Sequence, residues 1–558
     1  MMKSDIKAKI GEFGLNGLIV MLACGFTALK IWALDNDAWF ILNCGRYVLE
    51  NGIPHEEFAT IHTGLHYVMQ QWLTAVIFWK VYSYFGADGL LFLTWLTGFI
   101  LIFVYFKFCL YISKSNIRIS ILLAVTVTFF SMIFINTRPQ IFSTLILLIE
   151  VFLLEKYFVE RKIRALCLLP LLSVLLVNLH AALYPMIIVV LLPYLAESLI
   201  LRIKKRPAPI KPLILTMIGI FLAGFLNPYG FEAMNYVFTS MSPDVYTLSN
   251  EIKSPIYLKP PASLFYLVVL IVYSILIIVA NFKKIFPPRY FFLSFGMIIL
   301  AFYSFRCLFW FLILGTLPLA YALKDWHPFE KSFNLPPKCF IPVFILCGIE
   351  IIFVYIETQN STIEVSEPIK IISSLTVIFL ICFIFFFKRE GNLFGNEIFI
   401  LRCKPVTAAF LLQIMIFISW VYFIIPPKKY EIYKPALDFL LSENRAEDIT
   451  LWGDVFTGSY AEFRGVKCYI DVRNEVFIPS NNHKKNIDRE YIELLEGKLN
   501  YKEFFARYNF THIFITSDYE FLYSALSQDK HYRPIFEYDL KIKKKVVHGK
   551  IFVPVKNN

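Results

Sequence analysis

The chain has 558 residues, of which 58 % are hydrophobic, 17 % aromatic and 17 % charged, with a formal net charge of +12; soluble domains average roughly a quarter charged. Mean hydropathy is +0.61, and 57 Phe with 31 Tyr against 23 Gly and 28 Pro exclude a disordered or collagen-like chain. Lys and Arg lie in short clusters between apolar runs, so the basic balance reports membrane topology rather than a nucleic-acid partner.

The apolar runs predict an α-helical multi-spanning membrane protein. About thirteen spans are expected, at 15–34, 90–111, 119–136, 141–157, 165–179, 184–201, 212–226, 263–280, 290–304, 308–323, 339–356, 370–387 and 405–425. The first is too long for a signal-peptide core and has no small-residue cleavage site before Asp35, so it reads as a retained helix. Alternate connections, counted from the amino-terminal segment, carry 25 Lys and Arg against 7 in the other set. That bias puts the amino terminus in the cytoplasm, and an odd number of spans then puts the carboxyl terminus outside. The stretch Trp72 to Phe85 is apolar too, but at roughly 14 residues it is short for a span and reads as a juxtamembrane helix on the outer surface.

A membrane domain over 1–425, with outer loops at 35–89 and 227–262, is therefore expected to precede a soluble extracytoplasmic α/β domain over 426–558. In that tail, Tyr433 to Leu441, Arg489 to Leu495 and Tyr501 to Tyr508 read as helices, and Ile449 to Trp452, Lys467 to Val472 and His512 to Thr516 as strands. A closing pair, Leu540 to Val547 and Lys550 to Val555, flanks His548-Gly549 as a hairpin turn. Cys468 is the only cysteine there, so no disulfide closes within the tail, and no Cys/His zinc spacing occurs in the chain.

Chemistry-bearing residues concentrate in the outer connections. Asp35 and Asp37 follow the first span directly; two carboxylates beside hydrocarbon are costly, so they either end one helix and cap the next or act on substrate as a general base. Arg138 stands at the outer end of the third span with Pro139 opening the fourth, and Arg306 lies in a very short, otherwise apolar turn. Each either snorkels to headgroups or holds a phosphate through charge-assisted bonds. His180 sits beside Asn178 in an outer turn, as an interface residue or a ligand. His55, His62 and His66 share the first outer loop, and the last two are one helical turn apart if that stretch is helical, which leaves a divalent metal open. Asp471 and Arg473 alternate on one strand face, as an ion pair within the tail or a substrate contact. No P-loop, G-x-S-x-G or H-E-x-x-H pattern is present.

The pattern Asp35-Asn36-Asp37-Ala38-Trp39, Gly45-Arg46, Asn51-Gly52-Ile53-Pro54 and Gln71-Trp72-Leu73 resembles the first outer loop of the GT-C superfamily. These are integral-membrane glycosyltransferases that use polyprenyl-phosphate-linked sugars. The ordered set Thr137-Arg138-Pro139-Gln140, Asn178-Leu179-His180, Asn227-Pro228-Tyr229-Gly230 and Asp471-Val472-Arg473 is similar to a poorly characterised bacterial subgroup. The resemblance implies a catalytic acid at Asp37, with Asp35 second and Glu251, before Ser254-Pro255, as a further acidic group. Donor phosphate would fall to Arg138 and Arg306, and substrate contacts to Arg46, His180, Gln71, Asp471 and Arg473. One departure is Gln70-Gln71 before Trp72, where many relatives carry an acid. The expected partners are a polyprenyl-phosphate-linked donor, the bilayer, and a glycan, lipid or protein acceptor. A transporter or flippase of a lipid-linked intermediate, or a non-catalytic scaffold, are the alternatives.

Overall fold

The computed structural model describes residues 34–240, 253–257, 262–282, 285–325, 432–542 and 545–555. The spans expected at 15–34, 339–356, 370–387 and 405–425 lie outside these residues, Leu34 apart, as does Glu251. Each of the other nine expected spans coincides with an apolar helix. Among the described residues, three helices are long and apolar enough to cross a membrane: Trp72–Ile112, Ala181–Ile203 and Phe305–Ala322.

Helix α1 (Asn36–Asn51) starts straight after Asp35, whose backbone is extended, and stops at Gly52, whose φ of 86° a side chain would resist. Helix α2 (Trp72–Ile112) has 41 residues and breaks at Gly86, where φ is 64°. An unbroken helix of that length would run about 60 Å, twice a ~30 Å hydrocarbon core; the break frees 72–85 to lie along α1. The two meet closely, since a Cβ on Gly45 would come within 2.0 Å of the Ala75 carbonyl oxygen. The bundle continues with α3 (Ile117–Ser131), α4 (Gln140–Glu160), α5 (Leu169–Leu179), α6 (Tyr184–Ile203), α7 (Ile210–Ala223), the short α8 (Phe231–Ser240), α9 (Ala262–Phe282), α10 (Pro288–Tyr303) and α11 (Phe305–Ala322).

Connections alternate between two ends of the bundle. At one end, Arg289 pairs with Glu155 at 2.8 Å and Glu197 at 2.7 Å, and the Asn116 amide donates to the Lys324 carbonyl at 3.1 Å. This joins the connections after α2, α4, α6, α9 and α11. The other set meets at the opposite end, beside the tail, and is called here the loop end. Within α4, the Glu150 carboxylate is buried with no hydrogen-bond partner among the described residues.

The tail folds around a five-stranded sheet in the order β2-β1-β3-β5-β4, where β1 is Thr450–Trp452, β2 Lys467–Cys468, β3 His512–Thr516, β4 Tyr532–Ile542 and β5 Lys545–Pro554. The first three strands in this order are parallel and the last two antiparallel. Parallel neighbours need crossovers, supplied by α13 (Val455–Phe463) between β1 and β2, and by α14 (Ile487–Leu495) and α15 (Tyr501–Tyr508) between β2 and β3; α12 (Lys434–Glu443) precedes the sheet and α16 (Glu520–Gln528) follows β3. Trp452, Tyr469, Phe477, Phe504, Phe514 and Phe552 fill the core.

Two expectations for the tail are corrected. The strand expected to Val472 ends at Cys468, because the chain turns off to bury Asp471 and Arg473. The hairpin turn is not His548-Gly549: these residues lie mid-strand, opposite Asp539 and Tyr538, and the turn joins Ile542 to Lys545. Gly549 is there for space, since a Cβ on it would strike the Tyr538 ring at 2.6 Å.

Candidate active site at the loop end

Asp35 occupies the position before α1 but makes no capping hydrogen bond with its side chain. Its carboxylate instead takes the Nε–H of Arg138, and Asp37, in the first turn of α1, lies 3.2 Å from the same nitrogen. Pro139 precedes α4 and fixes where Arg138 leaves the helix end. One guanidinium thus holds two carboxylates that would otherwise repel each other. All three groups are partly buried, with side-chain exposures of 17 % for Asp35, 27 % for Asp37 and 20 % for Arg138.

Arg306 approaches from the turn that opens α11. One turn beyond Pro139, Ser143 Oγ lies 2.7 Å from His180 Nδ1. Burial and, next, the Arg306 charge push the His180 imidazole down to about 3, so it is neutral at physiological pH. The backbone of the Arg306 turn is tied to the second loop through Phe305 N–H to Lys253 O, 2.9 Å.

The other motifs hold this end together. Trp72 Nε1 donates to Asn178 Oδ1 at 2.9 Å, and the Asn178 amide donates to Leu226 O at 2.8 Å. Asn227 bonds Gly224 O and Gly230 O at 2.7 and 2.9 Å, shaping a turn in which Gly230 has φ 56°. The Tyr229 hydroxyl then reaches Pro54 O at 2.8 Å. Thr94 donates to Thr137 at 3.1 Å. These residues are distant in sequence and adjacent in space.

Several expected site residues stand elsewhere. Arg46 bonds Asn43 at 2.8 Å and lies over the rings of Trp79 and Phe463, at the junction with the tail. Gln71 is buried at the start of α2, and its neighbour Gln70 makes the cross-contacts, to Ala181 N at 2.7 Å and Ala182 N at 3.2 Å. The three loop histidines do not converge, which corrects the chelating pair. The stretch is not helical: His55 packs edge-on to Tyr229, His62 bonds Tyr469 O at 2.8 Å, and His66 lies 3.4 Å from Glu232. No group of three His, Cys, Asp or Glu side chains placed to hold a metal occurs among the described residues.

Asp471 and Arg473 do pair, but in a buried cluster. Arg473 Nε donates to Asp471 at 2.7 Å, its NH2 to Glu57 at 2.9 Å, and Glu462 lies 3.7 Å away. The exposures of the Arg473 and Glu57 side chains are 2 % and 0 %. Burial, and then the neighbouring Asp471 charge, hold the Glu462 carboxyl well above its ordinary range. One cation therefore faces Asp471, Glu57 and Glu462, an arrangement that fastens the first loop to the tail. Sequence reasoning passed over Glu462 and Ser143, and noted Glu57 only as an acid among the loop histidines. Only the Glu56-Glu57 pair inside a loop of mixed charge offered any signal.

No family model matches the sequence, and no curated relative does. Solved structures do match. The oligosaccharyltransferase AglB from Archaeoglobus fulgidus, in complex with an inhibitory peptide and a dolichol-phosphate, superposes with a TM-score of 0.57 at 10 % identity, over 96 % of this chain and 74 % of that one. ArnT from Cupriavidus metallidurans, bound to undecaprenyl phosphate, gives 0.55 at 10 % identity, over 97 % and 98 %. The chain has the GT-C fold.

Proposed function

We propose that the protein is a membrane glycosyltransferase that moves a sugar from a polyprenyl-phosphate-linked donor to a cell-envelope glycan, lipid or protein acceptor. The observation that carries this reading is the convergence of Asp35 and Asp37 on Arg138, in a fold shared with proteins bound to undecaprenyl phosphate and dolichol-phosphate. The loop end is taken as the outer face of the plasma membrane, with the amino terminus cytoplasmic and the sheet domain extracytoplasmic. The charge bias of the connections supports that orientation.

In the proposed reaction the donor phosphate is held by Arg306 and by Arg138, which exchanges a carboxylate for a phosphate oxygen when the donor arrives. Asp37 then takes the proton from the acceptor hydroxyl as its oxygen bonds the anomeric carbon. The bond from that carbon to the phosphate oxygen breaks, and the polyprenyl phosphate leaves with the electron pair. Asp35 keeps Asp37 and Arg138 in register, and neutral His180 orients Ser143 beside them. Asp471 and Arg473 serve here as a fastening rather than a substrate contact. One observation favours transport as a second reading: Glu150, a buried acid inside α4.

The test is native mass spectrometry of the purified protein with a short-chain polyprenyl phosphate. Specific adducts should form with wild type and fall at least tenfold with Arg306→Ala and Arg138→Ala, while Asp37→Asn keeps the adduct and loses transfer. Equal preference for bulk phospholipid, or a fully active Asp37→Asn, would overturn the assignment. Loss of lipid efflux only in Glu150→Gln would favour transport.

A further inference from the structure

A cavity of about 200 Å³ opens where three segments meet: the first loop at His66 and Tyr67, helix α8, and the tail between Glu475 and His483. A single water needs roughly 10–15 Å³ of such space, so this is a pocket rather than a hydration site. It exists only when the loops and tail are assembled, since none of the three segments encloses it alone.

Its chemistry is selective. Among the described residues no Lys or Arg lines it, so no permanent cation is there to draw in a phosphate. The wall carries acceptors and ambivalent donors instead: Glu232 beside His66 at 3.4 Å, Glu475 accepting from the Tyr236 hydroxyl at 2.9 Å, and His483 edge-on to His66 with ring centroids 5.1 Å apart. Asn235 and Asn481 add amides. Tyr67 and Tyr236, both buried in the wall, supply ring surface with a polar edge. Carboxylates, amides and tyrosine rings around a small open pocket suit a molecule that bears many hydroxyls and no charge, with an apolar face between them.

We propose that this cavity binds a neutral sugar residue of the acceptor. The inference rests on the glycosyltransferase reading for its place in the reaction. The Tyr67 hydroxyl lies 3.5 Å from the Cys44 sulfur, and Cys44 is seven residues along α1 from Asp37, about 10 Å of helix. The cavity and Asp37 thus lie on the same side of the molecule, joined through the packing of Tyr67 on α1.

The experiment uses the full chain in lipid nanodiscs free of sugar-based detergent, with methyl glycosides of glucose, galactose, mannose and N-acetylglucosamine followed by saturation-transfer NMR. Inorganic phosphate is the anionic control. At least one glycoside should bind and phosphate should not. Asn235→Ala, which removes a polar group, and Thr239→Trp, which fills the cavity, should each weaken binding at least tenfold, while polyprenyl-phosphate adducts stay at wild-type level. No glycoside binding, or binding unchanged in both variants, overturns the pocket and leaves the donor site standing. Retained glycoside binding without any lipid-phosphate adduct would overturn the glycosyltransferase reading and leave a sugar-binding protein.

Discussion

Replacing Arg473 with Ala tests how the sheet domain is held to the bundle. The side chain is 2 % exposed and bonds both Asp471 and Glu57, so its loss strands two carboxylates in a dry interface. Breaking a buried pair from one side costs roughly 3–5 kcal/mol. At about 2–4 °C per kcal/mol for a unit of this size, the unfolding midpoint of the loop end should drop on the order of 10 °C. Thermal unfolding in nanodiscs measures this directly. Thiol labelling of Cys44, buried beside Tyr67 beneath the Arg473 guanidinium, should accelerate in parallel. Glu57→Gln alone should cost less, because Oε1, which takes the Ala59 and Thr60 amides and the Arg473 guanidinium, can be the oxygen that Gln retains, and only the Thr60 bonds to Oε2 are lost. The double variant should lose about 0.5–3 kcal/mol less than the sum of the singles. An Arg473→Ala midpoint within 1 °C or so of wild type, or strictly additive losses, would show that the cluster does not fasten the two parts.

Two pH dependences follow from the same interface. Burial, and then the Lys485 charge, depress His62 from 6.5 to about 4; the unfolded chain takes up the proton first, so stability present above pH 6.5 is lost as pH falls toward 4, by up to about 3 kcal/mol. His62→Phe should flatten that loss in unfolding midpoints taken between pH 7.5 and 4.5, and an unchanged slope would refute it. Glu462 has the opposite sign: the folded carboxyl keeps its proton above the ordinary 4.5, so wild-type stability falls as pH rises past that value. Glu462→Gln should be more stable than wild type at pH 8, measured in the same way, and a destabilised variant would show that the group is ionised in the fold.

Local periodicity carried much of the architecture. The tail segments Tyr501–Tyr508 and His512–Thr516 fall where the sequence puts them, and the nine apolar runs within the described residues are helices. The carboxylate pair stood out because two acids after an expected span are costly beside hydrocarbon, whether they cap helices or act on substrate. Its partner Arg138 was legible as a residue, but not as the partner. The misplaced hairpin shows why local signals fail: His-Gly has the composition of a turn, but the glycine makes room for the Tyr538 ring on the neighbouring strand, and nothing within a few residues reveals that. The histidines fail similarly. His62 and His66 look like a chelating pair only if their segment is helical, and the tail, far away in sequence, decides that it is not. Helix α8 was passed over because ten residues of mixed polarity between two glycine- and serine-bearing stretches carry a weak pattern.

The contact between Arg473 and Glu57 spans 416 residues, and that between His62 and Tyr469 spans 407. During synthesis at ~5–20 residues per second, the first loop waits roughly 20–80 s for the segment that completes it. Throughout that interval the Glu57 carboxylate has no cation, and the surface that will meet the tail is uncovered. Maturation of the loop end is therefore a late event in biogenesis, and the newborn chain depends on whatever shields that loop until its last quarter arrives.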